Sequence, residues 1–205
     1  RPARVVRPRR LGTGAVAAKI YANLDAELIA QIAREARRQN MQVWAHGAVF
    51  PATPADVIQS GPNSLSHARL LAYQGESEMP DSYHGRSTVD ISRFASGLPT
   101  PVVRVLKQMR DHGIVLDATL LLDRQGGVPS DIFPVAAQIT KTAHELGVQI
   151  SAGTDAYADP DDPYPALYSE LELLVEYAGL TPVDALTAAT VGGAAAIGET
   201  ASLGT

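Results

Sequence analysis

The sequence predicts an α/β fold in which repeated strand-helix units build a parallel sheet. From Ala15 onward, short apolar segments alternate with longer stretches of helical periodicity, which is the pattern of βα repeats. Several of the short segments also carry residues suited to chemistry. QVWAH ends in His46, NSLSH ends in His67, VQISAGTDAY (Val148 to Tyr157) delivers Ser151, Thr154 and Asp155, and the earlier AVAAKIY carries Lys19. Barrel enzymes place catalytic groups at the C-terminal ends of parallel strands, so Lys, His, His and Asp supplied by separate strands suggest a metal site.

Five strands are expected, near Ala15 to Tyr21, Gln42 to His46, Asn63 to His67, Ile114 to Thr119 and Val148 to Ala152. The first helix has Asn23 as its candidate N-cap, an apolar stripe of Leu24, Leu28, Ile29, Ile32, Ala33 and Ala36, and arginines clustered toward an end near Asn40, where the macrodipole favours cations. Thr53 to Ser60 opens with a threonine cap, Pro54 at the first helical position and Asp56 in the first turn, and the same grammar recurs at Thr181 to Asp184. Pro101 to His112 and Asp131 to Leu146 read as helices closed by Gly113 and Gly147. Pro165 to Ala178 and Pro182 to Ile197 complete the series. The long stretch from His67 to Pro101 has no steady periodicity, as expected of a lid or substrate loop.

The composition bounds the function. A chain of 205 residues, 45% hydrophobic and 19% charged, can bury a sizeable core. A net charge of −5 and a pI near 5.5, with no basic helix face, argue against a nucleic-acid partner. With no cysteine, any metal ligands must be histidine, carboxylate or modified lysine. No apolar run approaches the roughly 20 residues of a membrane span and no signal-peptide pattern opens the chain, so no membrane role is expected and the cytoplasm is the default compartment. RPARVVRPRR packs five arginines and two prolines into ten residues. Residues 1–14 therefore read as a poorly ordered basic arm, for which a solvated tail is simpler than an anion site, and residues 15–205 as the folded portion.

Four stretches, in this order, resemble the amidohydrolase superfamily, in the branch of imidazolonepropionase-like enzymes and metal-dependent Xaa-Pro and related dipeptidases: AAKIYANLDAELIAQIAREARRQNMQVWAHGAVF, GPNSLSHARLL, ISAGTDAY and ELELLVEYAGLTPVDALTAATVGGAAAIG. The resemblance implies a partial TIM-type (β/α)8 barrel matching strands four to eight of the family barrel. A full barrel takes about 250 residues. The first-strand His-x-His pair of the family occurs nowhere in this sequence. A fragment of a longer protein, or the product of a broken gene, is the corresponding expectation.

By the same resemblance, His46, His67, Lys19 and Asp155 are the metal ligands, for one or two divalent ions, zinc being the expected metal. Lys19 would be carboxylated and bridge two ions, which removes the cost of an ammonium on an otherwise apolar strand. Asp155 would also be the catalytic base, taking a proton from the metal-activated water that attacks a C–N bond of a small substrate such as a dipeptide or cyclic amide. Ser66 departs from the acidic residue that many relatives carry before this histidine. Tyr21 and Arg69, two residues beyond Lys19 and His67, could face the mouth of the site, the tyrosine steadying an oxyanion and the arginine holding a carboxylate. His84 in the long loop is a possible substrate contact, while His112 and His144 sit at helix C-termini. The aspartates of ADPDDPY lack an EF-hand pattern and read as the loop after the last strand.

Each assignment has a plainer counterpart: a structural strand-end histidine, a paired or surface lysine, a turn-capping aspartate, ordinary rim residues. Two rival functions follow. One is a mononuclear site of His46, His67 and Asp155. The other is a catalytically incompetent remnant that at most binds metal or self-associates, because five strands leave sheet edges open. A homo-oligomer, or dependence on a missing N-terminal portion, is expected in either case.

Overall fold

A computed structural model of the chain describes residues 14–83, 89–125, 132–156, 161 and 163–204. Five short strands form one sheet in sequence order, every neighbouring pair parallel: β1 (Ala17–Ile20), β2 (Gln42–His46), β3 (Ser64–Ser66), β4 (Val115–Asp117) and β5 (Ile150–Ser151). All five lie inside the expected segments, and the parallel order is that of a partial barrel.

The register explains which face is which. Lys19 lies beside Trp44 and Trp44 beside Ser64, while His46, Ser66, Asp117 and Ser151 follow one another across the sheet. Because side chains alternate along a strand, these rows share the concave face. Val43, Ala45, Leu65 and Leu116 point the other way and are fully buried, where burial of apolar area is the main stabilising contribution.

The helices pack on that apolar face. In α1 (Ala26–Arg38), Ile29, Ala33 and Ala36 are buried. Its N-cap is Asp25, whose carboxylate accepts from the Leu28 N–H at 2.8 Å, and not Asn23. Asn23 is held instead at φ 58° by its own N–H donating to the Val49 carbonyl at 2.6 Å. α2 (Pro54–Gln59) has the expected capping box between Thr53 and Asp56. α3 (Thr100–His112) ends at Gly113 with φ 65°. α4 (Leu120–Gln125) was not expected from the sequence, and α5 (Ile132–Glu145) follows. α6 (Ala166–Glu176) and α7 (Pro182–Thr187) come next, the latter with a second capping box between Thr181 and Asp184. Among the described residues, no helix is long and apolar enough to cross a membrane.

Two expectations are corrected. The single helix over Pro182 to Ile197 is broken: α7 gives way to a π-helical segment, Ala188–Gly192, and a last turn, α8 (Gly193–Ala196). The bulge serves tertiary contact, since the Ala188 carbonyl accepts the Ala152 N–H and Gly192 lies against the Ile150 carbonyl. The stretch after His67 is in its first part a wall: Ala68–Gly75 is a 3₁₀ segment whose residues Ala68 to Tyr73 are buried. A further 3₁₀ turn spans Ile91–Phe94. Nearly all of the basic arm, and His84, lie outside the described residues.

The two glycines of the C-terminal turn predict opposite outcomes. A Cβ on Gly192 would meet the Ile150 carbonyl, backbone against backbone, whereas one on Gly193 meets nothing within 4 Å. Gly192→Ala is expected to destabilise by about 1–3 kcal/mol or more. Gly193→Ala, at helical φ −60°, is expected to stabilise by about 0.5–1 kcal/mol. The urea midpoints of the two variants check this directly.

Candidate metal and hydrolytic site

The concave face holds a cavity of about 500 Å³, lined among others by Lys19, Tyr21, His46, Ser66, His67, Asp117 and Asp155. Gly193, Ala196 and Ile197 close one side of it, anchored where the Trp44 indole N–H donates to the Ala196 carbonyl at 2.9 Å.

At its centre the Nε2 atoms of His46 and His67 lie 3.2 Å apart. Both rings are buried, 4% exposed each. Burial, followed by the nearby charges of Lys19 and Arg69, pushes the pKa of His46 down to about 3. Burial, His46 and the same two cations push His67 down to about 2. Both imidazoles are therefore neutral, the form that ligates metals. His46 Nδ1 has no hydrogen-bond partner among the described residues. Asp155 reaches toward the pair from the end of β5, Oδ2 lying 3.6 Å from His67 Nε2. The Tyr21 ring stands 4.3 Å from that of His46 and is half exposed.

Lys19 extends from β1 to the same cavity and donates from Nζ to Ser66 Oγ at 3.2 Å. The Ser66 hydroxyl donates in turn to Asp117 Oδ2 at 3.2 Å, and Asp117 Oδ1 accepts the Gly153 N–H at 2.8 Å. Burial lowers the Lys19 pKa against the pull of Asp117 and Asp155, and burial raises that of Asp117. Ser66 thus links the lysine of β1 to a carboxylate of β4. Asp117 is a site residue that the sequence did not single out, although an aspartate ending the strand IVLD is the same signal that marks Asp155.

Three residues at the strand ends have positive φ: His67 (72°), Thr119 (54°) and Asp155 (45°). For a β-branched residue such as Thr119 this is a true outlier, costing about 1–3 kcal/mol. Strain of this kind collects at functional sites.

Arg69 is corrected in position. It does not reach the mouth of the cavity but is 7% exposed, with Nη1 3.0 Å from Asp123 Oδ1. The turn at His67 ends the two-residue alternation of the strand, so a residue two beyond the histidine no longer shares its face. His84 falls outside the described residues. His144 pairs loosely with Asp184 at 3.7 Å, remote in sequence and fold from the cavity.

The donor set suits a metal in part. In a tetrahedral zinc site with Zn–N bonds of about 2.0–2.1 Å, two ligating nitrogens stand roughly 3.3 Å apart, close to the observed His46 to His67 separation. Whichever tautomer His46 adopts, one of its nitrogens lacks a partner, a deficit that ligation would change. Among the described residues, no group of three or more His, Cys, Asp or Glu side chains is arranged to hold an ion. The histidine pair is the formed part of the site, with Asp155 and Lys19 adjacent.

Comparison with known proteins identifies the family and matches the fold. A sequence model of the amidohydrolase family matches residues 9–205. No curated protein matches. Among solved structures, a Xaa-Pro dipeptidase with bound methionine in its active site superposes with a TM-score of 0.62 at 18% identity, over 94% of this chain and 46% of the other. A putative prolidase from Bifidobacterium longum superposes at 0.57 with 23% identity, over 93% and 45%. The chain therefore spans about half the length of the structures it matches.

Proposed function

The chain belongs to the amidohydrolase family, and from that premise we propose that its concave face carries a metal-dependent site for hydrolysing a C–N bond of a small substrate, a dipeptide or a cyclic amide. The observation that carries the reading is the 3.2 Å approach of two buried, neutral imidazole nitrogens. Enzymes of this family generally use divalent metals. His46 and His67 would hold the ion, with Asp155 and Lys19 completing one or two sites. The ion, when bound, supplies Lewis acidity that polarises a carbonyl and lowers the pKa of a water to about 7.

The remaining steps belong to the chain itself. Asp155, exposed to the cavity and 3.6 Å from His67, would take a proton from the attacking water and return it to the leaving nitrogen. Tyr21, beside His46 at the rim, offers its hydroxyl to the developing oxyanion. The lowered pKa of Lys19 increases the share of neutral amine, the form that adds carbon dioxide to give a carbamate and a proton. A dipeptide suits a cavity of about 500 Å³, and one of the matching structures is that of a Xaa-Pro dipeptidase.

Cobalt(II) titration followed by visible absorption tests the ion site in the 205-residue chain. Saturable binding is expected, weakened at least about 100-fold, or about 2.7 kcal/mol, by His46→Ala and by His67→Ala. Hydrolysis of Xaa-Pro dipeptides against cyclic amides by the whole protein then assigns the substrate. No saturable binding at millimolar cobalt would favour the non-catalytic remnant.

A further inference from the structure

A buried polar network stands behind His67, on elements that the proposed chemistry does not use. His67 Nδ1 lies 2.8 Å from Thr119 Oγ1, and Thr119 Oγ1 also lies 2.8 Å from the Ala118 carbonyl oxygen. A carbonyl cannot donate. If the hydroxyl proton went to the ring, two oxygens would face each other at 2.8 Å with no proton between them, which is repulsive. Both contacts are attractive only when the hydroxyl donates to Ala118 and the ring donates from Nδ1 to the hydroxyl. His67 Nε2 then carries no proton, and on the cavity side it accepts from the His46 Nε2–H at 3.2 Å in the metal-free protein.

Thr119 reaches this place only because its backbone is turned to φ 54°, and the next two residues show what holds it there. The N–H groups of Leu120 and Leu121 donate to the two carboxyl oxygens of Glu170, at 3.0 and 2.6 Å. Glu170 is fully buried on α6, fifty residues along the chain. An α4 tied at its first turn to α6 cannot rotate Thr119 away from the ring.

We propose that Thr119 and Glu170 are positioning residues, the threonine fixing His67 in the Nδ1–H tautomer with Nε2 aimed into the cavity, and the glutamate holding the threonine in the conformation that does so. Their value to metal binding rests on the reading of His67 as a ligand. The tautomer itself does not, and it can be read without metal.

Long-range ¹H–¹⁵N spectra of the metal-free chain, labelled at histidine, test this. The wild type is expected to show a protonated, pyrrole-type Nδ1 and a bare, pyridine-type Nε2 at His67. Thr119→Ala removes the acceptor and is expected to mix the tautomers, whereas Thr119→Ser keeps the hydroxyl and the wild-type signature. Glu170→Gln can accept only one of the two N–H groups and is expected to move the spectrum in the same direction as Thr119→Ala. Zinc affinity should fall about 10–100-fold in Thr119→Ala and be rescued in Thr119→Ser. A wild type protonated at Nε2, or a Thr119→Ala spectrum unchanged from it, overturns the proposal, and an unchanged Glu170→Gln spectrum overturns the part of Glu170. If the tautomers behave as expected while no variant, wild type included, binds zinc, the positioning stands and the reading of His67 as a ligand fails.

Discussion

Arg69→Met is expected to remove about 3–5 kcal/mol of stability, a large share of the roughly 5–15 kcal/mol that holds a domain together. The reason is the partner left behind. Asp123 is 2% exposed, Arg69 is its one ion-pair partner among the described residues, and Asp123 Oδ2 has no hydrogen bond there. Burial already pushes the Asp123 pKa up to about 6 against the pull of Arg69. Without the guanidinium the carboxyl must be buried as an uncompensated charge or take up a proton. The double variant Arg69→Met/Asp123→Leu removes both charges together and should recover most of the loss, since a well-packed apolar pair often matches a buried ion pair. Urea midpoints at unchanged m-value measure both. A single variant within about 0.5 kcal/mol of the wild type would mean that water reaches Asp123 and that no buried charge is left uncompensated.

The misplacement of Arg69 shows where sequence reasoning stops. Inside a strand, alternation assigns faces, and Lys19, His46, Ser66 and Asp117 obey it. At His67 the backbone turns to φ 72° and a 3₁₀ segment begins, so counting by two fails one residue later. Four of the strands are legible as short, mainly apolar runs, whereas β3, Ser-Leu-Ser with one apolar residue, is legible through the family resemblance of the stretch GPNSLSHARLL. α4 is not legible, because six residues, LLLDRQ, are too few to show a period. The helix from Pro182 to Ile197 read as continuous because Ala-rich segments favour helix, and the π-helical break answers contacts with β5 that no local pattern encodes.

The site divides in the same way. Lys19, His46, His67 and Asp155 stand out in the sequence as polar residues in or at the ends of strand segments, and the fold brings all four to one cavity. Thr119 and Glu170 do not stand out: the first reads as an ordinary residue after a strand, and the second as one acid among several in ELELLVE. The positions proposed to matter are joined by tertiary hydrogen bonds between α4 and α6, and sequence periodicity is silent about such bonds.

Stability is expected to depend on pH with two limbs of opposite sign, each traceable to groups in and behind the cavity. His46 and His67 have ordinary values of 6.5 and folded values of about 3 and about 2. Below pH 6.5 the unfolded chain therefore binds protons that the folded one refuses, and stability falls as pH drops, by up to two protons or about 2.7 kcal/mol per pH unit. Glu170 and Asp123 act in reverse. Burial raises them from 4.5 and 3.8 to about 8 and about 6, so the folded state keeps protons that the unfolded chain releases, and stability falls as pH rises through that range. Between about pH 4.5 and 6 the two pairs nearly cancel, giving a plateau. Below about pH 3.5 both carboxyls are protonated in either state, and of these four groups only the histidines still lower stability as pH falls. Above about 6.5 Glu170 is the one of these four groups that still contributes, at about 1.4 kcal/mol per unit, until about pH 8. Urea unfolding of the metal-free chain from about pH 3 to 9 should trace this shape, and Glu170→Gln should flatten the alkaline limb and tilt the plateau, so that stability there falls with falling pH. Added zinc should raise stability most near neutrality and steepen the acid limb, because protons and metal compete for the same imidazole nitrogens. A metal-free chain as stable at about pH 3 as at about pH 5 would mean that the two rings are already charged in the fold, which is incompatible with their Nε2 atoms standing 3.2 Å apart.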